Sequence, residues 1–318
     1  MILRNIFAAS AASLLILGGA AKAADPAACE TVRLSDVGWT DITATTSGFA
    51  SVVLKGLGYK PKVSVLSVPV TYTSLANGDI DVFLGNWMPT MTADITPYLE
   101  AGTVVTLEEP NLVGAKYTLA VPKYVADAGV KSFADIAEHE DEFDGKIYGI
   151  EPGNDGNRLI LDMIESDAFG LGDFELVESS EQGMLSQVAR AVRNQRWIVF
   201  LGWEPHPMNA NFDLVYLSGG DDYFGPNFGG AEVYTNVRAG YLEECPNMAT
   251  LLRNLKFTLQ MENEVMGKIL DDGMQPEAAA TEWLKAHPEV LDQWLAGVET
   301  IDGKDGLSAV KKHLGLTS

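Results

Sequence analysis

Between residues 31 and 201 the chain repeats one pattern: a short apolar or alternating run, then a segment with apolar residues at helical spacing. Strand-like runs fall at 31–34, 62–68, 80–84, 116–121, 146–150, 174–178 and 197–201; helix-like segments fall at 42–57, 72–76, 133–139, 157–165 and 182–194. Strand and helix in alternation predict an α/β protein with mostly parallel sheets covered by helices. Beyond residue 240 the pattern turns helical, over 248–272, 276–286 and 289–296. The 318 residues contain no low-complexity segment and no flexible linker, which favours two α/β domains joined by crossing strands over separate beads.

The first residues read as targeting rather than fold. Arg4 supplies a positive start, residues 6–17 are apolar or small, and Ala21-Lys22-Ala23 has small residues where a signal peptidase reads. This predicts a signal peptide over 1–23, cleaved after Ala23, and export to a bacterial periplasm. A retained anchor is the alternative, but the run is shorter than the roughly 20 residues of a spanning helix. Acidic residues outnumber basic ones 44 to 22, for a net charge of −22. Loss of Arg4 and Lys22 with the leader would make the chain more acidic still. Such a chain repels nucleic acid and anionic membranes and attracts small cations. Two cysteines, Cys29 and Cys245, suggest one disulfide in an oxidising compartment, tying the mature N-terminus to a late segment. With four scattered histidines they do not supply a zinc site. No metal and no cofactor is expected.

One internal echo is informative. Asp81-Val82-Phe83-Leu84-Gly85-Asn86-Trp87-Met88-Pro89 resembles Ile198-Val199-Phe200-Leu201-Gly202-Trp203-Glu204-Pro205. Each is a buried strand running into Gly, Trp and Pro, with Gly expected to end the strand and Pro to stiffen the turn that presents the indole. Gly38-Trp39 follows the first strand in a similar way. Ligands of open α/β sheets bind beyond the carboxyl ends of strands. Trp39, Trp87 and Trp203 are therefore placed to line one cleft, although a Trp at a strand end also serves as a packing anchor. Trp197, Trp283 and Trp294 read as packing residues. An indole face attracts a cation within about 6 Å, worth roughly 0.5–2 kcal/mol. A quaternary ammonium suits such faces, because its charge is diffuse and its methyl groups add about 0.8 kcal/mol per buried carbon. Micromolar affinity, about −8 kcal/mol, is within reach of such a box.

Two polar candidates accompany the rings. Asp41 reads either as the N-cap of the helix beginning near Ile42 or as a carboxylate aimed into the cleft. Asn154, in Glu151-Pro152-Gly153-Asn154-Asp155-Gly156-Asn157, reads as a turn and helix cap that also has the reach to touch a ligand. Catalytic motifs are absent: there is no Gly-x-Ser-x-Gly elbow, P-loop or His-Glu-x-x-His. His206 reads as a loop cap before a base, and Gly219-Gly220-Asp221-Asp222 is too short for a calcium loop.

At these residues the chain resembles the glycine betaine/choline/proline betaine periplasmic binding family of bacterial ABC importers. The likeness runs through Asp36-Val37-Gly38-Trp39-Thr40-Asp41, Gly85-Asn86-Trp87-Met88-Pro89-Thr90-Met91, Gly114-Ala115-Lys116-Tyr117, Gly149-Ile150-Glu151-Pro152-Gly153-Asn154-Asp155-Gly156-Asn157 and Gly202-Trp203-Glu204-Pro205-His206-Pro207. It spans nearly the whole chain beyond the leader. The resemblance implies a two-lobed flytrap fold of type II, with crossing hinge strands. It also implies a four-ring cage of Trp39, Trp87, Tyr117 and Trp203, with Asp41 and Asn154 as polar contacts, and a Cys29–Cys245 disulfide. Tyr117 comes from the resemblance alone. The expected lobes are residues 24–113 with 210–318, and 114–209, hinged near 112–116 and 206–212. The implied ligand is choline, with glycine betaine, acetylcholine, dimethylsulfoniopropionate and trimethylamine N-oxide as alternatives. Asp41 is expected to favour choline over glycine betaine by at least tenfold, about 1.4 kcal/mol. The expected partner is a membrane permease with separate ATPase subunits, and a monomer is expected. An enzyme acting on quaternary amines and a sensing domain are rival classes.

Overall fold

The computed structural model describes residues 25–316, so the expected signal peptide lies outside the described residues. Ten strands form one curled sheet in the order β2 (Lys60–Val65), β1 (Thr31–Asp36), β3 (Val82–Met88), β10 (Gly230–Arg238), β5 (Leu112–Pro122), β8 (Val199–Glu204), β6 (Lys146–Tyr148) and β7 (Glu175–Val177). Off this path, β4 (Val104–Thr106) pairs with β10 and β9 (Leu214–Tyr216) pairs with β5.

The pairing divides the sheet. β1 runs parallel to β2 and β3, and β6 runs parallel to β7 and β8. These are the two βαβ halves that the sequence rhythm predicts. Between them lie two long antiparallel strands, β5 and β10, paired to each other and each to its own half. The result is the two-lobed type II architecture. The first half packs on the C-terminal helices: Phe49 meets Phe257, Trp283 and Trp294 at ring distances of 5.4–6.0 Å. Trp283 and Trp294 are thus packing residues. Cys29 and Cys245 form a disulfide with Cα atoms 5.9 Å apart. Beside it, Asp25 accepts the N–H groups of Asn247 and Met248 and the Tyr59 hydroxyl, so its carboxylate serves the start of the helix Pro246–Asn254.

Several expectations are corrected. Gly85 and Gly202 do not end their strands; both lie inside β3 and β8, which run on through Trp87 and Trp203. Gly85 is there for space, because a Cβ would come within 2.7 Å of the Ile42 side chain. The helix expected over 248–272 is two, Pro246–Asn254 and Leu259–Leu270, and the Thr258 hydroxyl accepts the Met261 N–H to start the second. Trp197 lies before β8 rather than within it and packs on His139 and Phe143. β10 was not anticipated, although Ala231, Val233, Thr235 and Val237 alternate into the core.

Candidate functional site

The first helix runs from Thr40 to Gly56, with a π-helical stretch at Thr43–Ala50. Its N-cap is Trp39, not Asp41, so the capping role expected for Asp41 is not the one it has. Asp41 sits in the first turn, 1% exposed. Its Oδ2 accepts the Trp87 indole N–H at 3.2 Å, and its Oδ1 is buried with no partner. Trp39 donates its own indole N–H to Glu151 in the other half, at 2.8 Å.

The second half contributes through β5, β8 and the helix Asp155–Glu165. Asn154 is the N-cap of that helix, accepting the Asn157 N–H at 3.0 Å. The same oxygen accepts the Tyr117 hydroxyl at 2.9 Å, and the amide nitrogen donates to Asp155. Gly156 makes this possible, since a Cβ there would overlap the Tyr117 hydroxyl. Tyr117 and Trp203 face each other across the β5–β8 ladder, 6.2 Å apart and nearly perpendicular. Trp87 meets Tyr117 at 6.1 Å.

Trp39, Asp41, Trp87, Tyr117, Asn154 and Trp203 thus line one cavity, together with Ile150 and Asp155; it holds about 260 Å³. The sequence reading had not singled out Ile150 or Asp155 as site residues. Among the described residues no Lys or Arg lines this cavity. The carboxyl groups of the lining, Asp41 and Asp155, and Glu151 beside them on Trp39 carry the electrostatic consequence. Burial pushes Asp41 up to about 8, with the nearby Glu181 carboxyl adding to the rise. Burial likewise raises Glu151 to about 7 and Asp155 to about 6. Acids that resist ionisation in a closed cavity are what a bound cation would relieve.

His206 lies behind Trp203, rings 4.9 Å apart. Its Nδ1 accepts the Met208 N–H, which is the loop-capping role the sequence suggested, and this leaves Nε2 to donate to Glu181 at 3.2 Å. Glu181 also joins Thr40 of the first half and had no sequence signal. After Trp39–Glu151 and Thr40–Glu181, Arg158 adds a third link between the halves, donating to the Thr90 carbonyl and to Asp94.

The model of the substrate-binding domain of ABC-type glycine betaine transport systems matches residues 30–286. An ABC-transporter choline-binding protein in complex with choline is 67% identical, over 92% of this chain and 100% of that one, with a TM-score of 0.90. A structure described as the same kind of protein in an unliganded semi-closed conformation is 68% identical over 91% of this chain and all of that one, with a TM-score of 0.83. At nearly equal identity, the TM-score is higher to the choline-bound structure than to the unliganded one. The lactococcal OpuAC protein, closed and complexed with glycine betaine, is 29% identical over 83% of this chain and 98% of that one, with a TM-score of 0.72. Among the described residues no helix is long and apolar enough to cross a membrane.

Proposed function

The chain belongs to the family of substrate-binding domains of ABC-type glycine betaine transport systems, and from that premise we propose that it captures choline in the periplasm and delivers it to a membrane permease driven by separate ATPase subunits. The observation that carries the proposal is the cavity itself: four aromatic rings from both halves, two buried carboxyl oxygens without a partner, on Asp41 and Asp155, and no basic residue among the described lining. Rings and acid together suit a methylated cation with a hydroxyl arm. The 67% identical relative, described as a choline-binding protein with choline, supports the same ligand.

Trp39, Asp41 and Trp87 would bind from one lobe, and Tyr117, Asn154 and Trp203 from the other, Asn154 acting through the phenol it holds. The first crossing would fall at β5, near the expected 112–116. The second is proposed at 225–230 instead of 206–212, since β9 pairs with β5 and Phe224 packs on Tyr117 before β10 returns to β3. Choline bridging the lobes would favour the closed state through contacts made only there. The family is one of transport proteins rather than an enzyme class.

A second reading, glycine betaine, is favoured by the family description and by the lactococcal relative. Its carboxylate would meet Asp41 and Asp155 with no basic side chain among the described lining to receive it. Calorimetric titration with choline and glycine betaine, backed by a thermal-shift panel that adds acetylcholine and carnitine, tests the proposal. The expected result is choline tighter than betaine by at least tenfold, about 1.4 kcal/mol. Equal affinities would remove the selectivity argument, and indifference to all four would remove the function.

A further inference from the structure

Glu181 begins the helix Glu181–Arg193 in the second half, yet its carboxylate is spent on the first half. Oε2 accepts the Thr40 backbone N–H at 2.8 Å, and Oε1 accepts the Thr40 hydroxyl at 2.5 Å. Oε1 also faces His206 Nε2 at 3.2 Å. Thr40, Glu181 and His206 are all at least 95% buried, and among the described residues no Lys or Arg pairs with Glu181. None of the three lines the ligand cavity.

Their neighbours do. Thr40 lies between Trp39 and Asp41 in the chain, and His206 packs against the Trp203 ring. Thr40 is also the first residue of the first helix, where a backbone N–H has no acceptor within the helix and the positive end of the helix dipole favours an anion. A carboxylate arriving from the opposite lobe satisfies that N–H and the hydroxyl together. Charge-assisted bonds of this kind are roughly twice as strong as neutral ones. With the lobes apart, the Thr40 donors would be left to water, and Glu181 would keep only His206 and Gln182 of its own lobe.

We infer that Glu181 is a positioning residue that latches the closed lobes, locking the Trp39–Asp41 segment of one lobe to the His206-backed Trp203 of the other without touching the ligand. The inference rests on the proposed capture of an onium ligand between closing lobes. It separates closing from ligand contact: the cage reads the ligand, and the latch sets how long the cage stays shut. Loss of the latch therefore acts on dissociation, because association begins from the open form in which the latch is unmade.

The test measures choline association and dissociation by stopped-flow tryptophan fluorescence, with melting temperatures of the ligand-free proteins alongside. Glu181→Ala and the near-isosteric Thr40→Val are each expected to speed dissociation, tenfold or more for Glu181→Ala, with association within threefold of wild type. Thr40→Ser, which keeps both donors, is expected to stay within threefold of wild type in dissociation. The double variant is expected to fall short of the product of the single effects, because both remove the same bond. Ligand-free melting temperatures are expected to stay near wild type; if Glu181→Ala fails to fold, Thr40→Val and its double variant with Glu181→Gln carry the test. Wild-type dissociation rates in the variants, or full additivity, overturn the latch while leaving the cage in place. A wild-type protein that binds no onium compound overturns both.

Discussion

In β3, Trp87 turns its indole N–H to the Asp41 carboxylate; in β8, Trp203 is met edge-on by His206, which passes on to Glu181. The two strands share glycine, tryptophan and a cis bond before proline, and each presents its ring at the same cavity. What stands behind the ring differs. The first wall backs its indole with a buried carboxyl group that keeps one oxygen unspent. The second backs its indole with a hydrogen-bonded chain that leads to the opposite lobe. Similar local sequence therefore places the rings, while charge and closure come from residues remote in the chain.

The sharpest way to break this comparison is to remove one ring at a time. Trp87→Ala loses a face of the cage and also takes the N–H from Asp41, so choline affinity is expected to fall at least a hundredfold, about 2.7 kcal/mol. Trp203→Ala loses a face but leaves Asp41 held, and a smaller loss is expected, roughly ten- to fiftyfold. Calorimetry on both variants decides the order. A larger loss in Trp203→Ala would mean that charge does not reside with the first wall. No loss in Trp203→Ala would remove the cage.

Asp41→Asn keeps an acceptor for the Trp87 N–H and removes only the charge. Choline affinity is expected to fall about tenfold, roughly 1.4 kcal/mol, while glycine betaine binding holds or improves. Competition titration at fixed salt measures the ratio. A parallel fall for both ligands would show that Asp41 reads the onium head alone and has no part in selectivity.

How much of this was legible in the sequence depends on how far each signal reaches. The two βαβ halves were legible because apolar runs and helical spacing are local. The three Trp were legible because the strand–Gly–Trp–Pro segment occurs twice. Tyr117, in the run Lys116-Tyr117-Thr118-Leu119, looks like any core residue of a buried strand and entered only through family resemblance. Asp41 was ambiguous, since a carboxylate at a helix start fits capping as well as binding; the actual N-cap, Trp39, has no side-chain cap bond. Glu181 was not legible at all, because its partner Thr40 is 141 positions away. β10 had a clear alternation and was passed over, while the break between the helices Pro246–Asn254 and Leu259–Leu270 was hidden by the buried Leu255 and Phe257 that span it.

Acidity probes the carboxyl groups around the cavity more gently. Burial holds Asp41 at about 8, Glu151 at about 7 and Asp155 at about 6, all above the ordinary carboxyl value near 4. The closed ligand-free form therefore binds more protons than an open or unfolded chain, and its stability falls as pH rises from about 4 through 8. A cation in the cavity favours the ionised acids, so binding releases protons and choline affinity rises over the same window. Several-fold tighter choline binding is expected at pH 8 than at pH 5.5, with proton release visible as a dependence of the calorimetric heat on buffer ionisation. Asp41→Asn is expected to flatten most of this profile. A profile of equal slope in that variant would assign the proton to Glu151 or Asp155.

The smallest effect is expected at Asn154, which with Asp155 is a polar residue of the second wall. Its oxygen already accepts from Asn157 and Tyr117, and its amide nitrogen donates to Asp155, whereas Asp41 keeps an oxygen without a partner. A side chain so occupied has little left to offer a ligand directly. Asn154→Ala is expected to cost about 1 kcal/mol of stability through the lost cap, read as a lower melting temperature, and to change the choline Kd by no more than threefold. Asn154→Ser, which keeps a capping oxygen, is expected to restore most of the melting temperature. If Asn154→Ala weakens choline as much as Asp41→Asn does, the two polar groups are equivalent, and the division between a charged wall and a locking wall does not hold.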